Sequence, residues 1–186
     1  VIRYILWNMV YVEGGTANLG DNNNYPVDVA SFFINRYEVS QDEWYVIMGE
    51  NPSNQHRRNY PVDQVNWFNA QRFTQKLSQL SGLPFRLPFE AEWEYAAREG
   101  LKTKNFIYAG SNNAEQVAWF REKYYNTYVS KETGTKRPNE LGLYDMSGNV
   151  YEWCMDWYDR KVPFTGNIAP VICEKDTHKV LRGGSY

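Results

Sequence analysis

The chain has 186 residues, 20 of them basic and 22 acidic, for a net charge of -2, with 42% hydrophobic and 23% charged side chains. Length and composition describe one globular domain able to bury a core. The near-neutral balance excludes the basic face that nucleic-acid binding requires, and no run of about 20 apolar residues is present to span a membrane as a helix.

Aromatic residues are the outlier, at 17% with 15 Tyr, 9 Phe and 7 Trp. Such rings fill cores, and Tyr and Trp also suit binding surfaces, where a rigid face is joined to a polar tip. Cys154 and Cys173 are too few for a disulfide scaffold and too far apart for a CxxC site. A bond between them is a matter of geometry that the sequence leaves open. His56 and His178 alone supply no zinc-type cluster. The chain starts at Val1 without a charged-then-apolar leader, which suits either a processed protein or a piece of a longer one.

In chain order, Met9-Val10-Tyr11-Val12 reads as a strand closed by Gly14-Gly15. Asp21 to Asn24 reads as a polar loop, and Phe32-Phe33-Ile34 as a second strand. Ser40-Gln41-Asp42-Glu43 has the form of a capping box, and Trp44, Ile47 and Met48 follow on one helical face until Gly49. A longer helix is expected from Asn66, with Phe68, Phe73, Leu77 and Leu80 broadly along one side, stopped by Gly82 and Pro84. Another runs from about Phe89 to Arg98, with Pro88 at its start. Beyond Gly100 short apolar pieces alternate with polar loops, ending in Val150–Trp157 and Val180-Leu181. Helices gathered in the first half with many short strands make an α+β pattern rather than βαβ alternation.

Five stretches, in order, carry a family resemblance. They are Glu38-Val39-Ser40-Gln41 with Met48-Gly49-Glu50-Asn51-Pro52-Ser53, Tyr60 to Trp67, Phe85 to Arg98, Asn139 to Trp153, and Arg182-Gly183-Gly184-Ser185-Tyr186. Together they resemble the formylglycine-generating-enzyme (sulfatase-modifying factor) domains. The resemblance implies one domain over residues 1–186 with a C-type-lectin-like fold, short antiparallel strands, two main helices and many ordered loops.

Asp145 and Glu152 flank Gly148-Asn149 as carboxylates around a turn, which suits a hard cation. The resemblance implies calcium held by Asp145, Glu152 and the carbonyls of Gly148 and Val150. The alternative is a tight turn whose acids cap backbone N–H groups. Glu90, Glu92 and Glu94 are expected as a solvated or salt-bridged helix face rather than as catalytic acids.

The family's oxidases hold copper between two cysteines shortly after the last motif, since soft thiolates suit Cu(I). The sequence reaches Tyr186, the end of that motif, so copper and oxidation of peptide cysteines are expected only if further chain supplies such a pair. Non-oxidase relatives include the variable proteins of diversity-generating retroelements. The leading expectation is therefore a non-catalytic module that binds a protein or cell-surface ligand, placed outside the cytoplasm. Candidate surface contributors are Trp119, Tyr124, Tyr125, Tyr128 and Tyr158. A structural subunit of a surface assembly is a third reading.

Overall fold

A computed structural model describes residues 1–20, 25–120, 129–158 and 178–185. Its first element is a short helix that the sequence pattern did not announce, α1 (Ile2–Trp7), whose buried side chain is Ile5. Four strands follow: β1 (Met9–Val12), β2 (Gly15–Leu19), β3 (Tyr25–Val29) and β4 (Phe32–Asn35). β2 and β3 form an antiparallel pair running Gly15–Val29 to Leu19–Tyr25. β1 pairs antiparallel with β4, from Met9–Asn35 to Val12–Phe32. Strand alternation gives this second sheet two faces. Val10, Val12, Phe32 and Ile34 enter the core, while Tyr11 and Phe33 stay exposed, their rings 5.4 Å apart.

The three expected helix starts are present. α2 (Gln41–Met48) opens with the full capping box, since Glu43 N–H donates to Ser40 Oγ at 3.3 Å and Ser40 N–H to Glu43 Oε2 at 2.8 Å. Gly49 closes it at φ 86, a left-handed conformation open to glycine at little cost. α3 (Trp67–Ser81) is capped by Asn66, whose Oδ1 accepts from Asn69 N–H at 2.9 Å. Phe73 and Leu77 join Ile5, Trp44 and Ile47 in one core cluster, with Phe73 stacked on Trp44 at 5.1 Å.

Phe68 and Leu80 correct the expected α3 stripe, because both are exposed. At 100° per residue Phe68 points away from the Phe73–Leu77 face, and Leu80 lies a turn beyond the end of its packing partners. Phe68 instead sets its ring edge-on to Trp67 at 5.4 Å.

α4 (Glu90–Ala97) is the buried axis of the molecule. Glu92, Trp93, Glu94, Tyr95 and Ala96 are all buried in succession. Trp93 and Ala96 pack with Leu143, Met146, Cys154 and Val180, whereas Tyr95 packs with Val12, Leu19, Val27 and Val29. Of the two expected forms, solvated or salt-bridged, the acids take the salt-bridged one, with Glu92 and Glu94 turned inward. Glu92 grips Arg86 with two 2.7 Å bonds and accepts Phe89 N–H at 2.8 Å. Glu94 accepts from Gly20 N–H at 2.8 Å, Arg98 Nε at 2.7 Å and Arg182 Nη2 at 2.5 Å.

A short helix, α5 (Ala114–Val117), precedes the last sheet, in which β5 (Glu152–Trp157) pairs antiparallel with β6 (Lys179–Arg182) around a bulge. Lys179 fastens this sheet to α3, its Nζ lying 4.1 Å from the Trp67 ring and 3.8 Å from Trp157, the geometry of cation–π attraction. No helix among the described residues is long and apolar enough to cross a membrane.

Glu94→Gln removes the charge that two arginines share while keeping the side-chain shape. It should destabilise the domain by roughly 3 kcal/mol in urea unfolding, since the arginines are left facing a buried neutral group. An unchanged midpoint would mean that Glu94 clamps nothing.

Candidate functional site

The Asp145–Val150 turn is built from backbone that most residues avoid. Asp145, Gly148 and Asn149 have φ of 58, 93 and 61; glycine takes such values freely and Asn and Asp tolerate them. Gly148 is fixed by space as well, since a Cβ there would sit 2.1 Å from the Trp119 carbonyl oxygen. Asn149 is fully buried and acts as the hub. Its Nδ2 donates to Glu38 Oε2 at 2.6 Å, its Oδ1 accepts from Lys131 N–H at 2.9 Å, and its own N–H donates to Trp119 O at 2.8 Å. Gly148 N–H donates to Gly183 O at 2.7 Å.

Three carboxylates gather around this turn. Glu38 Oε1 accepts Val150 N–H at 3.1 Å, and burial, with the charges of Glu152 and Asp145 adding to it, pushes the Glu38 carboxyl well above the usual range. Asp145 Oδ2 accepts Gly134 N–H at 2.7 Å, but its Oδ1 is buried without a partner. Burial raises Asp145 as well. Glu152 is half-buried in the lining of a large cleft, and burial lifts its carboxyl to about 7. The Trp93 indole tempers that rise, although its N–H stands outside hydrogen-bond geometry.

The capping role foreseen as the alternative is therefore real for Asp145 Oδ2, while Oδ1 is left over. Sequence reasoning named Asp145 and Glu152 but missed Glu38, which interrupts the apolar neighbours Tyr37 and Val39 ahead of the α2 cap. Its position in a half-apolar run was the available signal.

A second acidic cluster lies at the start of α4. Glu90 N–H donates to Asp156 Oδ2 at 2.6 Å, and the Glu90 carboxylate lies 3.5 Å from Arg182. Burial outweighs the arginine and, with Asp156 and Glu94 nearby, carries Glu90 up to about 7.

Cys154 has a free thiol buried in the core beside Trp93 and Met146. Burial, with Glu152 as the main charge nearby, raises that thiol well above its ordinary value. A thiol so held is protonated and ill-suited to bind copper, which takes thiolate. Cys173, the other cysteine considered, lies outside the described residues.

Of the surface aromatics, Tyr124, Tyr125 and Tyr128 lie outside the described residues. Trp119 is half-buried beside the turn, bonded through Nε1 to Thr135 Oγ1 at 3.0 Å, with Lys136 Nζ 3.9 Å from its ring. Tyr158 is exposed past the far end of β5, its N–H donating to His178 O. A six-residue strand spans roughly 20 Å, so these two rings do not form one patch.

A family model described as the sulfatase-modifying factor enzyme 1-like domain matches residues 5–186. The chain belongs to that family. It is 34% identical to the chaperone protein LppX of Paenibacillus barcinonensis, over 96% of this chain and 78% of that protein. It is also 34% identical to the formylglycine-generating enzyme of Streptomyces coelicolor, over 70% of this chain but only 43% of the enzyme. Among solved structures, Treponema denticola variable protein 1 superposes with a TM-score of 0.76 at 30% identity, covering 95% of this chain and 83% of that one. The α+β, C-type-lectin-like fold implied by the motifs is thereby established.

Glu90 prefers its neutral form when folded, with a pKa raised from 4.5 to about 7. That preference stabilises the fold fully below pH 4.5, and the contribution is lost as pH rises through 7. Glu90→Gln should therefore flatten the loss of stability between pH 5 and 8 by about 2 kcal/mol. Parallel wild-type and variant melting curves across that window would refute the assignment.

Proposed function

We propose that this domain is a non-catalytic ligand-binding and display module whose partner is a protein or a cell-surface ligand outside the cytoplasm. The likeness to a variable protein over 95% of the chain carries the reading. A rigid core with function grafted on loops suits such use. The buried, protonated Cys154 adds to it, since the thiol in the core is the wrong form for copper chemistry. Diversification of the surface by a retroelement is the finer form of the proposal, with Trp119 and Tyr158 as described contributors.

The likeness to a protein called a chaperone supports a second reading, in which the ligand is another polypeptide. The oxidase reading requires two copper-binding cysteines from residues beyond Tyr186. A structural subunit would reveal itself by stable co-purification with one partner.

A calcium ion at the turn belongs to the proposal. The partnerless Asp145 Oδ1 is an oxygen without a task. Val150 O and Glu152 Oε1 both lie beside Gly183, 3.4 and 3.7 Å from the point that a Cβ there would occupy, with the Trp93 ring 3.6 Å from it. Among the described residues no three His, Cys, Asp or Glu side chains converge closely enough to hold an ion. The carbonyls of Gly148 and Val150 must therefore complete the oxygen set that calcium prefers.

Calcium should raise the melting temperature, by about 2.7 kcal/mol of stability at a hundredfold excess over Kd, and Asp145→Asn or Glu152→Gln should abolish the response. An identical melting curve with calcium and with chelator would remove the ion from the proposal.

An array of surface glycans and proteins, probed without copper, should yield a saturable ligand. Its affinity should fall at least about tenfold with Trp119→Ala or Tyr158→Ala. No ligand on the array, together with copper-dependent formation of an aldehyde on a cysteine peptide, would replace this reading with the oxidase.

A further inference from the structure

A closed circuit of hydrogen bonds leaves the Asp145–Val150 turn and returns to it. On one side Glu38 accepts from Asn149 Nδ2 and from Val150 N–H, and Ser40, two residues on, caps α2. The first N–H groups of a helix find no partner within it. Here Gln41 N–H donates to Tyr60 O at 2.9 Å and Asp42 N–H to Arg58 O at 3.2 Å. Arg57 N–H adds a bond to Gln41 Oε1 at 2.8 Å. The loop at residues 57–60 is thus built onto the start of α2.

From that loop the circuit closes through residues 131–135. Thr133 donates to Asn59 O twice, from its N–H at 3.1 Å and from Oγ1 at 3.2 Å. Asn59 Nδ2 donates to Glu132 Oε1 at 2.9 Å. The same segment is tied to the turn. Asn149 Oδ1 accepts from Lys131 N–H at 2.9 Å, and its Nδ2 donates to Lys131 O at 3.3 Å. Gly134 N–H donates to Asp145 Oδ2 at 2.7 Å. Gly134 has little room to shift, since its φ is 73 and a Cβ would sit 2.6 Å from the Tyr37 ring. Thr135 Oγ1 accepts from Trp119 Nε1 at 3.0 Å, so a proposed ligand contact hangs from this segment as well.

Asp145 is where the circuit meets the turn's spare oxygen. Its Oδ2 holds Gly134, while its Oδ1 is buried without a partner. A carboxylate is planar, so a cation that fixes Oδ1 also fixes the Oδ2 that anchors residues 131–135. We propose that this circuit carries the occupancy of the calcium site to the loop at 57–60 and to the first turn of α2, ordering both when the ion is bound. The inference rests on the calcium reading of the turn. Coupling of this kind is reciprocal, so whatever orders the loop tightens calcium binding by the same factor.

The test follows amide deuterium exchange in the protein with calcium chloride and with chelator, alongside calorimetric titration with calcium. Calcium should slow exchange at residues 57–60 and in the first turn of α2 by at least about threefold, the effect of firming one or two hydrogen bonds. The interior of α3, outside the circuit, should exchange as before at short times. Asn59→Ala with Thr133→Val removes two of the three bonds between the loop and the segment. In that variant the slowing should persist at 131–135 but fall below about twofold at 57–60. Three outcomes would overturn the circuit and leave the calcium site standing: calorimetric binding without slowing at 57–60, slowing spread evenly into α3, or slowing at 57–60 unchanged in the double variant. Absence of calorimetric binding would remove the calcium site and the circuit's role with it.

Discussion

One buried carboxylate holds the parts of this domain in place. Glu94 receives bonds from the end of β2 through Gly20, from its own helix through Arg98, and from β6 through Arg182. Its burial is tolerable only because all three donors are present; a buried charge missing its partners costs several kcal/mol. The three sheets each contain two strands, and such ribbons are marginal alone. α4, packed on every side, is what they share.

From that axis the turn at Asp145–Val150 is positioned with little freedom. β5 begins two residues after Val150 and pairs with β6 at Glu152–Arg182, so the arginine held by Glu94 also sets where Glu152 stands. Asn149 then fixes Glu38, and Gly148 allows Trp119 to approach. Several carboxylates with raised pKa values share a small volume, a pattern found both in binding sites and in structural ion clusters. Within that cluster Asp145 Oδ1 is buried without a hydrogen-bond partner.

The sequence reading succeeded where the signal is local. Ser40 with Glu43, Asn66, and Gly49 with Gly82 declare two helices because caps act within four residues. It failed where the deciding partner is distant. β2 reads Gly-Thr-Ala-Asn-Leu, with little strand character, and becomes a strand through its register with β3. α1 has neither a capping side chain nor an acidic first turn, and Ile5 is held by packing against Trp44 and Phe73. The α4 acids were expected to be solvated or salt-bridged; they are salt-bridged, and what the sequence hid is their burial, since glutamates on a helix are usually exposed and one partner, Arg182, lies far along the chain. Of the site, the turn and two of its acids were legible from motif resemblance, whereas Glu38 carried only the weak signal of an acid between Tyr37 and Val39.

The separation between Glu94 and Arg182, 88 residues, also has a consequence in time. At a synthesis rate of about 5–20 residues per second, roughly 4–18 s pass between the two on the ribosome. Through that interval Glu94 has Arg98 for company but not the strand that completes its shell. Docking of α4 into its final surroundings must therefore wait for the end of the described chain, and nascent domains would spend those seconds with Trp93 and Met146 within reach of other chains.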